Sequence, residues 1–207
     1  MRRDYAEHGL RREDLDADPI RQFERWFQEA CSAGLLEPNA MSLATSSADG
    51  RPTLRTVLLK GFDSRGFVFF TNLESTKARQ IAENNRVALL FPWIALERQV
   101  SITGSAEKLG SMEVLRYFIT RPFGSQLAAW TSPQSRVITS RSILEGKLAE
   151  MKRKFSEGKV PVPSFWGGYR VSPHTIEFWQ GRTNRLHDRF QYSLEPDGSW
   201  SCQRLAP

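Results

Sequence analysis

"AMSLATSSADGRPTLRTVLLKGFDSRGFVFFT", residues 40–71, contains three β-prone runs separated by two short turn sequences. The runs at 40–47, 53–62 and 67–71 are rich in β-branched, aliphatic and aromatic residues, which favour strands. Between them, ADGRP and DSRG are typical of turns because glycine, proline, aspartate and serine favour tight reversals. Connections this short join antiparallel neighbours, so the stretch predicts the beginning of an antiparallel meander.

Helices are predicted on both sides of this meander. Asp18 followed by Pro19 forms an N-cap and first-turn pair, and apolar residues at helical spacing extend that helix to about Ala33. Three more helices are predicted at STKARQIAENN with Ser75 as its cap, at SMEVLRYFIT with Ser111 as its cap, and at SRSILEGKLAEMKRKF.

Further strands complete the predicted fold. They are expected at RVALLFPW, at RQVSITGSAEKL with a bend at Gly104, at YRVSPHTIEFWQ, and in a final hairpin that turns at Asp197-Gly198. Six or more strands in meander order with helices between them predict an α+β fold, an antiparallel barrel. The charge-rich residues 1–18 show no period, which predicts a mobile arm ahead of one domain over residues 19–207.

The composition excludes several classes of protein. The 207 residues are 40% hydrophobic and 25% charged, as is ordinary for a globular domain. The longest apolar run, VALLFPWIAL, is interrupted by proline and is about half of the ~20 residues that a membrane-spanning helix needs. Cys31 and Cys202 are unclustered, and the three histidines lack the spacing of metal ligands. These observations predict a cytoplasmic protein without a metal site.

The net charge of +6 comes from 22 arginines and 7 lysines that are scattered along the chain. The arginine fork suits bidentate contact with phosphate or carboxylate. The absence of a dense basic block disfavours a nucleic-acid-binding module and favours small phosphorylated ligands. The motifs GxGxxG, GxxxxGK[ST] and GxSxG are also absent from the sequence.

The stretch GRTNRLHDRF, residues 181–190, concentrates positive charge near the C-terminus. If it forms a strand, Arg185, His187 and Arg189 share one face. One interpretation is a solvated strand face whose charge Asp188 dilutes. The other is that a planar anionic ligand lies across the three side chains.

Collinear segments resemble the pyridoxine 5′-phosphate oxidase family from about Arg2 to Pro207. They are RTVLLKGFD, FFTN, LLFPW, ERQVSITGSAEKL, TRPFGSQLAAW, VPSFWGGYRV and IEFWQGRTNRLHDRF, followed by the terminal RLAP. The resemblance implies a homodimeric FMN-binding split barrel. It also implies oxidation of pyridoxine or pyridoxamine 5′-phosphate to pyridoxal 5′-phosphate, with dioxygen reduced to hydrogen peroxide.

The resemblance also implies which residues bind the cofactor. That set is Arg55, Thr56, Val57, Leu58, Leu59, Lys60, Phe70, Thr71, Thr76, Lys77, Gln99, Gln134, Ser135, Trp179 and Arg189. Thr76 stands where many members of the family have arginine. Arg55 and Lys60 are five positions apart and would point to opposite faces of a regular strand, so a bulge or a strand end is expected between them.

A second implied set binds the substrate. Its phosphate would be held by Lys60, Tyr117, Arg121 and Ser125, and the ring would face Arg185 and His187, the implied catalytic pair. His187 could act as a base or as a positioning group. Arg2 and Tyr5 match a segment that closes over the substrate.

Two alternatives remain at this stage. A flavin reductase or a non-catalytic flavin binder with the same barrel would keep Arg55, Lys77 and Gln99 but would not need the substrate set. A nucleic-acid-binding module would instead use the net positive charge and would bind in a steeply salt-dependent way.

Overall fold

The computed structural model describes residues 9–156 and 158–207, so the predicted substrate-covering residues Arg2 and Tyr5 lie outside the described residues. The strands are β1 (Ala40–Ser46), β2 (Pro52–Leu58), β3 (Gly61–Asp63), β4 (Gly66–Asn72), β5 (Arg86–Trp93), β6 (Arg98–Lys108), β7 (Trp166–Gln180), β8 (Asp188–Leu194) and β9 (Trp200–Leu205). The helices are α1 (Pro19–Ser32), α2 (Thr76–Glu83), α3 (Ser111–Thr120), α4 (Phe123–Thr131) and α5 (Ser142–Lys154). None of the helices in these two ranges is long and apolar enough to cross a membrane.

The strands form one antiparallel sheet that curls on itself. Its order is β2-β1-β5-β6-β7-β4-β3, and β8 and β9 extend it from β7. β2 and β3 stand at the two ends of that order, yet only Leu59 and Lys60 separate them in the chain. Two residues cannot connect the far edges of a flat sheet, because they span at most about 7 Å. The sheet therefore bends into a half-barrel, which confirms the predicted α+β barrel.

The predicted second strand ends earlier than expected. The run 53–62 splits after Leu58, because the Leu59 N–H donates to the Asn39 carbonyl oxygen (2.8 Å) and the Lys60 N–H donates to that of Val68 (2.8 Å). This strand end lies between Arg55 and Lys60, as their spacing requires.

Local capping signals place most of the helices correctly. Asp18 Oδ1 accepts the Ile20 N–H (2.8 Å) at the start of α1, and Ser75 Oγ accepts the Ala78 N–H (3.4 Å) at the start of α2. The cap predicted at Ser111 is wrong by one residue, since Gly110 is the N-cap of α3. The sequence did not predict α4, a nine-residue helix that follows Pro122 and has no side-chain cap.

An aromatic cluster joins α1 to the inside of the curled sheet. Phe23 of α1 is fully buried, and its ring lies 4.9–5.0 Å from the rings of Phe62, Phe67 and Phe91. Burial of one such side chain contributes roughly 1.5–3 kcal/mol. A smaller core that includes Val68 and Phe118 packs α3 and α4 on the outer face of β4. β4 is therefore buried on both faces, which explains its unbroken apolar sequence.

The stretch 181–190 is not one strand, so the prediction of a shared strand face is wrong. β8 begins only at Asp188, and residues 183–185 form a tight 3₁₀ turn. Asn184 and Arg185 both adopt left-handed backbone conformations, with φ of 55° and 63°. Arg185 and His187 therefore lie outside the sheet, whereas Arg189 lies within β8. The three side chains do not share a strand face.

Candidate functional site

A cavity of about 340 Å³ lies between β2, β4, α2 and α4. It contains eight members of the predicted cofactor set, namely Thr56, Val57, Leu58, Lys60, Phe70, Thr71, Lys77 and Gln134. Its remaining lining residues are Asn72, Arg121, Ala128, Ala129, Ser132 and Trp166. Apart from Arg121, the sequence pattern gave no sign of these additional wall residues, and the contribution of Ala128 and Ala129 depends on how α4 packs.

Lys77 is the most buried cation of the cavity, with 8% of its surface exposed. Its Nζ donates to Thr71 Oγ1 (3.1 Å) and Gln134 Oε1 (2.9 Å), and no described carboxylate lies within ion-pair distance. Burial, reinforced by the charge of Arg55, lowers the pKa of Lys77 to about 8. Lys77 also lies in the first turn of α2, where backbone N–H groups favour an anion.

Arg55 places a second positive charge near Lys77. Its Nη1 donates to the Leu43 carbonyl oxygen (3.0 Å) and to Thr45 Oγ1 (2.6 Å), and its Nη2 donates to Thr53 Oγ1. Burial lowers the pKa of Arg55. Two neighbouring cations without a described carboxylate partner repel each other, and an anion between them would relieve that repulsion.

Arg121 lines the cavity together with Lys60 and Lys77. Its guanidinium lies over the Trp166 ring, 4.8 Å from the centroid, and burial lowers its pKa. The Nη1 atom is buried and has no hydrogen-bond partner among the described residues. Such an unsatisfied charged donor is costly unless a ligand accepts from it.

A second cavity, of about 390 Å³, shares Lys60 and Phe70 with the first. Tyr117 lines it, and its ring stacks on Phe70 with centroids 4.0 Å apart. Three of the four predicted substrate-phosphate residues, Lys60, Tyr117 and Arg121, therefore line one or both of these cavities, and Ser125 lines neither. Ser125 follows Arg121 at the start of α4 and is half-buried.

Besides Arg55, three other predicted cofactor residues near α2 and α4 do not line the first cavity. Leu59 is buried in the main core, and Ser135 is exposed, with φ of 70°. Thr76 is half-buried at the first position of α2, where its Oγ1 accepts from Arg79 Nη2 (3.2 Å).

The remaining predicted residues form a second cluster at the far end of β7. Gln99, Trp179 and Arg189 pair directly across β6, β7 and β8, so their side chains form a row on one face. The His187 ring lies 4.7 Å from the Trp179 ring. Arg185 is exposed in the preceding turn.

Glu177 holds Arg189 in this row and was not predicted. Its carboxylate accepts from Nε (2.8 Å) and Nη2 (3.0 Å) of Arg189, while Nη1 donates to the Ala206 carbonyl oxygen (2.8 Å). This ion pair raises the pKa of Arg189. Strand alternation could have predicted Glu177 from the sequence, because residues 177 and 179 are two positions apart and therefore share a face of β7.

The two clusters lie at opposite ends of one strand. Trp166 lines the first cavity, and Trp179 stands 13 positions further along β7. At ~3.3 Å per residue this corresponds to about 40 Å along the strand. Within residues 9–156 and 158–207, no group of histidine, cysteine, aspartate or glutamate side chains is arranged to hold a metal ion.

The chain matches two protein-family models. Residues 27–155 match the model for pyridoxamine 5′-phosphate oxidase, and residues 166–207 match that for the pyridoxine 5′-phosphate oxidase C-terminal dimerisation region. Curated proteins named pyridoxine/pyridoxamine 5′-phosphate oxidase are 62% identical in Rippkaea orientalis and 56% identical in Escherichia fergusonii. Each alignment covers the whole of this chain, together with 98% of the Rippkaea orientalis protein and 94% of the Escherichia fergusonii protein.

Solved structures share the fold. PhzG from Burkholderia lata, in complex with tetrahydrophenazine-1-carboxylic acid, has a TM-score of 0.90 at 30% identity over 97% of this chain and 99% of its own. A pyridoxamine 5′-phosphate oxidase-related, FMN-binding protein from Nostoc punctiforme has a TM-score of 0.74 at 17% identity, over 93% of this chain and 100% of its own.

Proposed function

The chain belongs to the pyridoxine/pyridoxamine 5′-phosphate oxidase family, and from this premise we propose that it is an FMN-dependent oxidase of these two phosphate esters. The observation that supports the cofactor most directly is the cavity lined by Lys77 and Arg121, with the charge of Arg55 close to Lys77 and no described carboxylate paired with these cations. A phosphorylated ligand would supply the missing negative charge.

The donor set fits two phosphate groups. Lys77, Arg55 and the first turn of α2 would hold the phosphate of FMN, with Thr76 at its edge. Lys60, Tyr117, Arg121 and Ser125 would hold the phosphate of the substrate around the shared wall of the two cavities. This division uses Nη1 of Arg121, the buried donor that has no described partner.

The far cluster would face the two ring systems. Trp179 and Gln99 would pack beside the flavin, and Arg189, fixed by Glu177, would place positive charge near its electron-rich edge. Arg185 and His187 would orient the substrate. Hydride transfer from the substrate C4′ carbon to flavin N5, with reoxidation by dioxygen to give hydrogen peroxide, is the chemistry that bound FMN supplies.

A homodimer would bring the two clusters together. About 40 Å of β7 separates them within one chain, and the region 166–207 matches a dimerisation model. A two-fold axis would place the far end of β7 from one protomer against the cavity of its partner. Each of the two sites would then use residues from both chains.

The direct test is a spectrum of the purified protein, followed by peroxide detection after pyridoxine 5′-phosphate is added. We expect a yellow protein that forms equimolar aldehyde and peroxide. A colourless protein that cannot be reconstituted with FMN would reject the oxidase and the other flavin-binding alternatives together. A flavin-loaded protein that oxidises neither ester would leave only the non-catalytic or reductase alternative.

FMN affinity should fall as the pH rises above about 8. The bound phosphate stabilises the Lys77 ammonium, so above the pKa of about 8 in the free protein, binding must take up a proton. Kd should then rise by up to about tenfold per pH unit. Titrations that follow the quenching of FMN fluorescence at several pH values measure this rise in Kd. The Lys77→Arg variant, whose side chain stays charged, should not show it. If Kd for the Lys77→Arg variant rose with pH in the same way, the proton taken up on binding would belong to another group.

Thr76→Arg should tighten FMN binding. A charged hydrogen bond contributes roughly 1.5–3 kcal/mol, which corresponds to about tenfold to a hundredfold in Kd. The gain should shrink as salt is added, because exposed charges are screened. Riboflavin, which lacks the phosphate, is the control ligand. Equal gains for FMN and riboflavin would show that position 76 acts through packing or helix propensity.

Arg185→Leu should lower kcat/KM by about tenfold to a hundredfold while FMN remains bound, because Arg185 is assigned to the substrate and not to the cofactor. His187→Ala should behave in the same way. Steady-state kinetics and the flavin-to-protein absorbance ratio measure the two properties separately. Arg153→Leu, at an exposed arginine of α5, should change neither property. Loss of flavin with normal turnover after reconstitution would overturn the assignment.

A further inference from the structure

Gln80 is a buried polar residue that belongs to neither set of predicted site residues. It lies on α2, three positions after Lys77, and 7% of its surface is exposed. Its Oε1 accepts hydrogen bonds from the hydroxyls of Thr45 and Thr53, each at 2.6 Å. This single amide oxygen therefore connects α2 to both β1 and β2.

The register of β1 against β2 brings the two hydroxyls together. Thr45 and Thr53 are direct cross-strand partners, and Leu43 pairs with Arg55 two positions away. Because alternate residues of a strand share a face, Thr53 and Arg55 point to the same side of β2. Arg55 therefore reaches both hydroxyls, and it donates from Nη1 to Thr45 Oγ1 (2.6 Å) and from Nη2 to Thr53 Oγ1.

The chemistry of these groups determines the direction of each hydrogen bond. A guanidinium can only donate, so each threonine oxygen accepts from Arg55 and directs its own proton to another acceptor. Oε1 of Gln80 is the acceptor for both protons. Donation therefore runs from Arg55 through the hydroxyls of Thr45 and Thr53 to Gln80, and we call these four residues the Arg55 relay.

The Arg55 relay fixes the guanidinium but leaves part of it available. The hydroxyls of Thr45 and Thr53 and the carbonyl oxygen of Leu43 take three of its N–H groups. A guanidinium has five, and no described residue accepts from the Nε–H or from the second Nη2–H. Two such N–H groups can bind the oxygens of a phosphate.

The relay also holds two cations near each other. Lys77 and Gln80 are three positions apart on α2 and therefore share a face of the helix. The charge of Arg55 contributes to the lowered pKa of Lys77, which shows that the two cations are close. Arg55 is half-buried on β2, at one end of the sheet order, so without the relay repulsion would favour its movement toward solvent.

We propose that Gln80 is a positioning residue that holds Arg55, through Thr45 and Thr53, in place for the phosphate of FMN. The proposal rests on the proposed function for the identity of the cofactor but not for the oxidation, because it concerns flavin binding alone. Gln80 does not line the first cavity, so it would act through the two hydroxyls and not by direct contact. Loss of the relay should therefore reduce affinity for the phosphate and not for the ring system of the flavin.

Titrations of the full-length, cofactor-free protein with FMN and with riboflavin test this assignment. Gln80→Leu removes the shared acceptor, and Thr53→Val removes one hydroxyl while keeping the shape of the side chain. Each should weaken FMN binding by about twofold to tenfold, the effect of a lost hydrogen bond, and leave the Kd of riboflavin unchanged. Thr53→Ser, which retains the hydroxyl, is the matched control and should bind FMN like the parent protein. Equal losses for the two flavins, or unchanged FMN affinity in Gln80→Leu, would overturn the proposal.

A double-mutant cycle shows whether Gln80 acts through Arg55. In an Arg55→Met background the partner of the phosphate is already lost, so adding Gln80→Leu should not weaken FMN binding further. Additive losses would show that Gln80 acts independently and would also overturn the proposal. If Gln80→Leu does not fold, Thr53→Val takes its place in the same cycle, because Thr53 is only half-buried.

Flavin binding and turnover separate this proposal from the proposed function. A parent protein that binds FMN but oxidises neither ester would reject the oxidase and leave the role of Gln80 intact. A parent protein that turns over normally, with a Gln80→Leu variant of unchanged FMN affinity, would do the reverse. A parent protein that binds no FMN would reject both.

Discussion

Lys77→Met is expected to stabilise the cofactor-free protein and, in the same molecule, to weaken FMN binding by about tenfold to a hundredfold. The stability gain arises because Lys77 is buried without a described carboxylate partner, and folding must desolvate its charge. Methionine fills a similar volume without that cost. The affinity loss arises because the same ammonium would face the phosphate of FMN.

Thermal denaturation of the cofactor-free variant and an FMN titration measure the two effects. Lys147→Met, at an exposed lysine of α5, is the matched control and should change neither quantity. In the parent protein, the unfolded chain retains the Lys77 proton up to about pH 10.5, whereas the folded chain releases it near pH 8. Cofactor-free stability should therefore rise with pH across that interval, and the variant should lack this contribution. A destabilised variant with unchanged FMN affinity would show that Lys77 has a structural role.

Two inactive variants should restore activity when they form a mixed dimer. One chain would have Lys77→Met with Arg121→Leu in the cavity cluster, and the other would have Arg185→Leu with His187→Ala at the far end of β7. If each site uses both chains, the mixed dimer has one intact site and one doubly altered site. Its activity should reach about half that of the wild-type dimer.

Co-expression with two different affinity tags and tandem purification isolates the mixed dimer for this assay. In the control dimer, both chains carry the two cavity substitutions. This dimer has no intact cavity and should stay inactive. If instead each chain forms a complete site by itself, neither chain of the mixed dimer would be active. An inactive but correctly folded mixed dimer would therefore reject the shared site.

Features that depend on local chemistry could be predicted from the sequence. The start of α1 follows from Asp18 and Pro19, because a cap and a fixed φ act within one turn. β5 coincides with its predicted range, and the predicted bend at Gly104 coincides with a shift of register between β6 and β7. At the start of α1 the determining interactions lie within a few residues of the signal, whereas at Gly104 the residue type itself is the signal, because a Cβ there would meet the backbone of Ser172.

Features that depend on tertiary contacts could not be predicted in this way. α4 has no local start signal beyond Pro122, and its position depends on packing against the second core. The turn at 183–185 escaped prediction because Asn184 and Arg185 adopt conformations that usually indicate glycine. Anchors distant in sequence, such as the carbonyl of Glu97, stabilise that turn.

The candidate site shows the same division. Each of its cations taken alone resembles an ordinary surface residue, and only the family resemblance grouped them. The structure adds what a sequence lacks, namely the burial of Lys77 and the unsatisfied Nη1 of Arg121. Glu177 was missed because its partner, Arg189, is defined by the register of β7 against β8.

The pairing of β4 with β7 also determines the order in which the protein can mature. Phe70 pairs with Gly168, so almost half of the chain length separates the two walls of the first cavity. A chain emerging from the ribosome presents the apolar β4 long before β7 exists to cover it, and such non-local pairings form slowly. Nascent chains are therefore most prone to aggregation between these two events. Flavin capture at this cavity would therefore wait for about the last fifth of translation, and we expect that a chain truncated before Trp166 cannot be rescued by added cofactor.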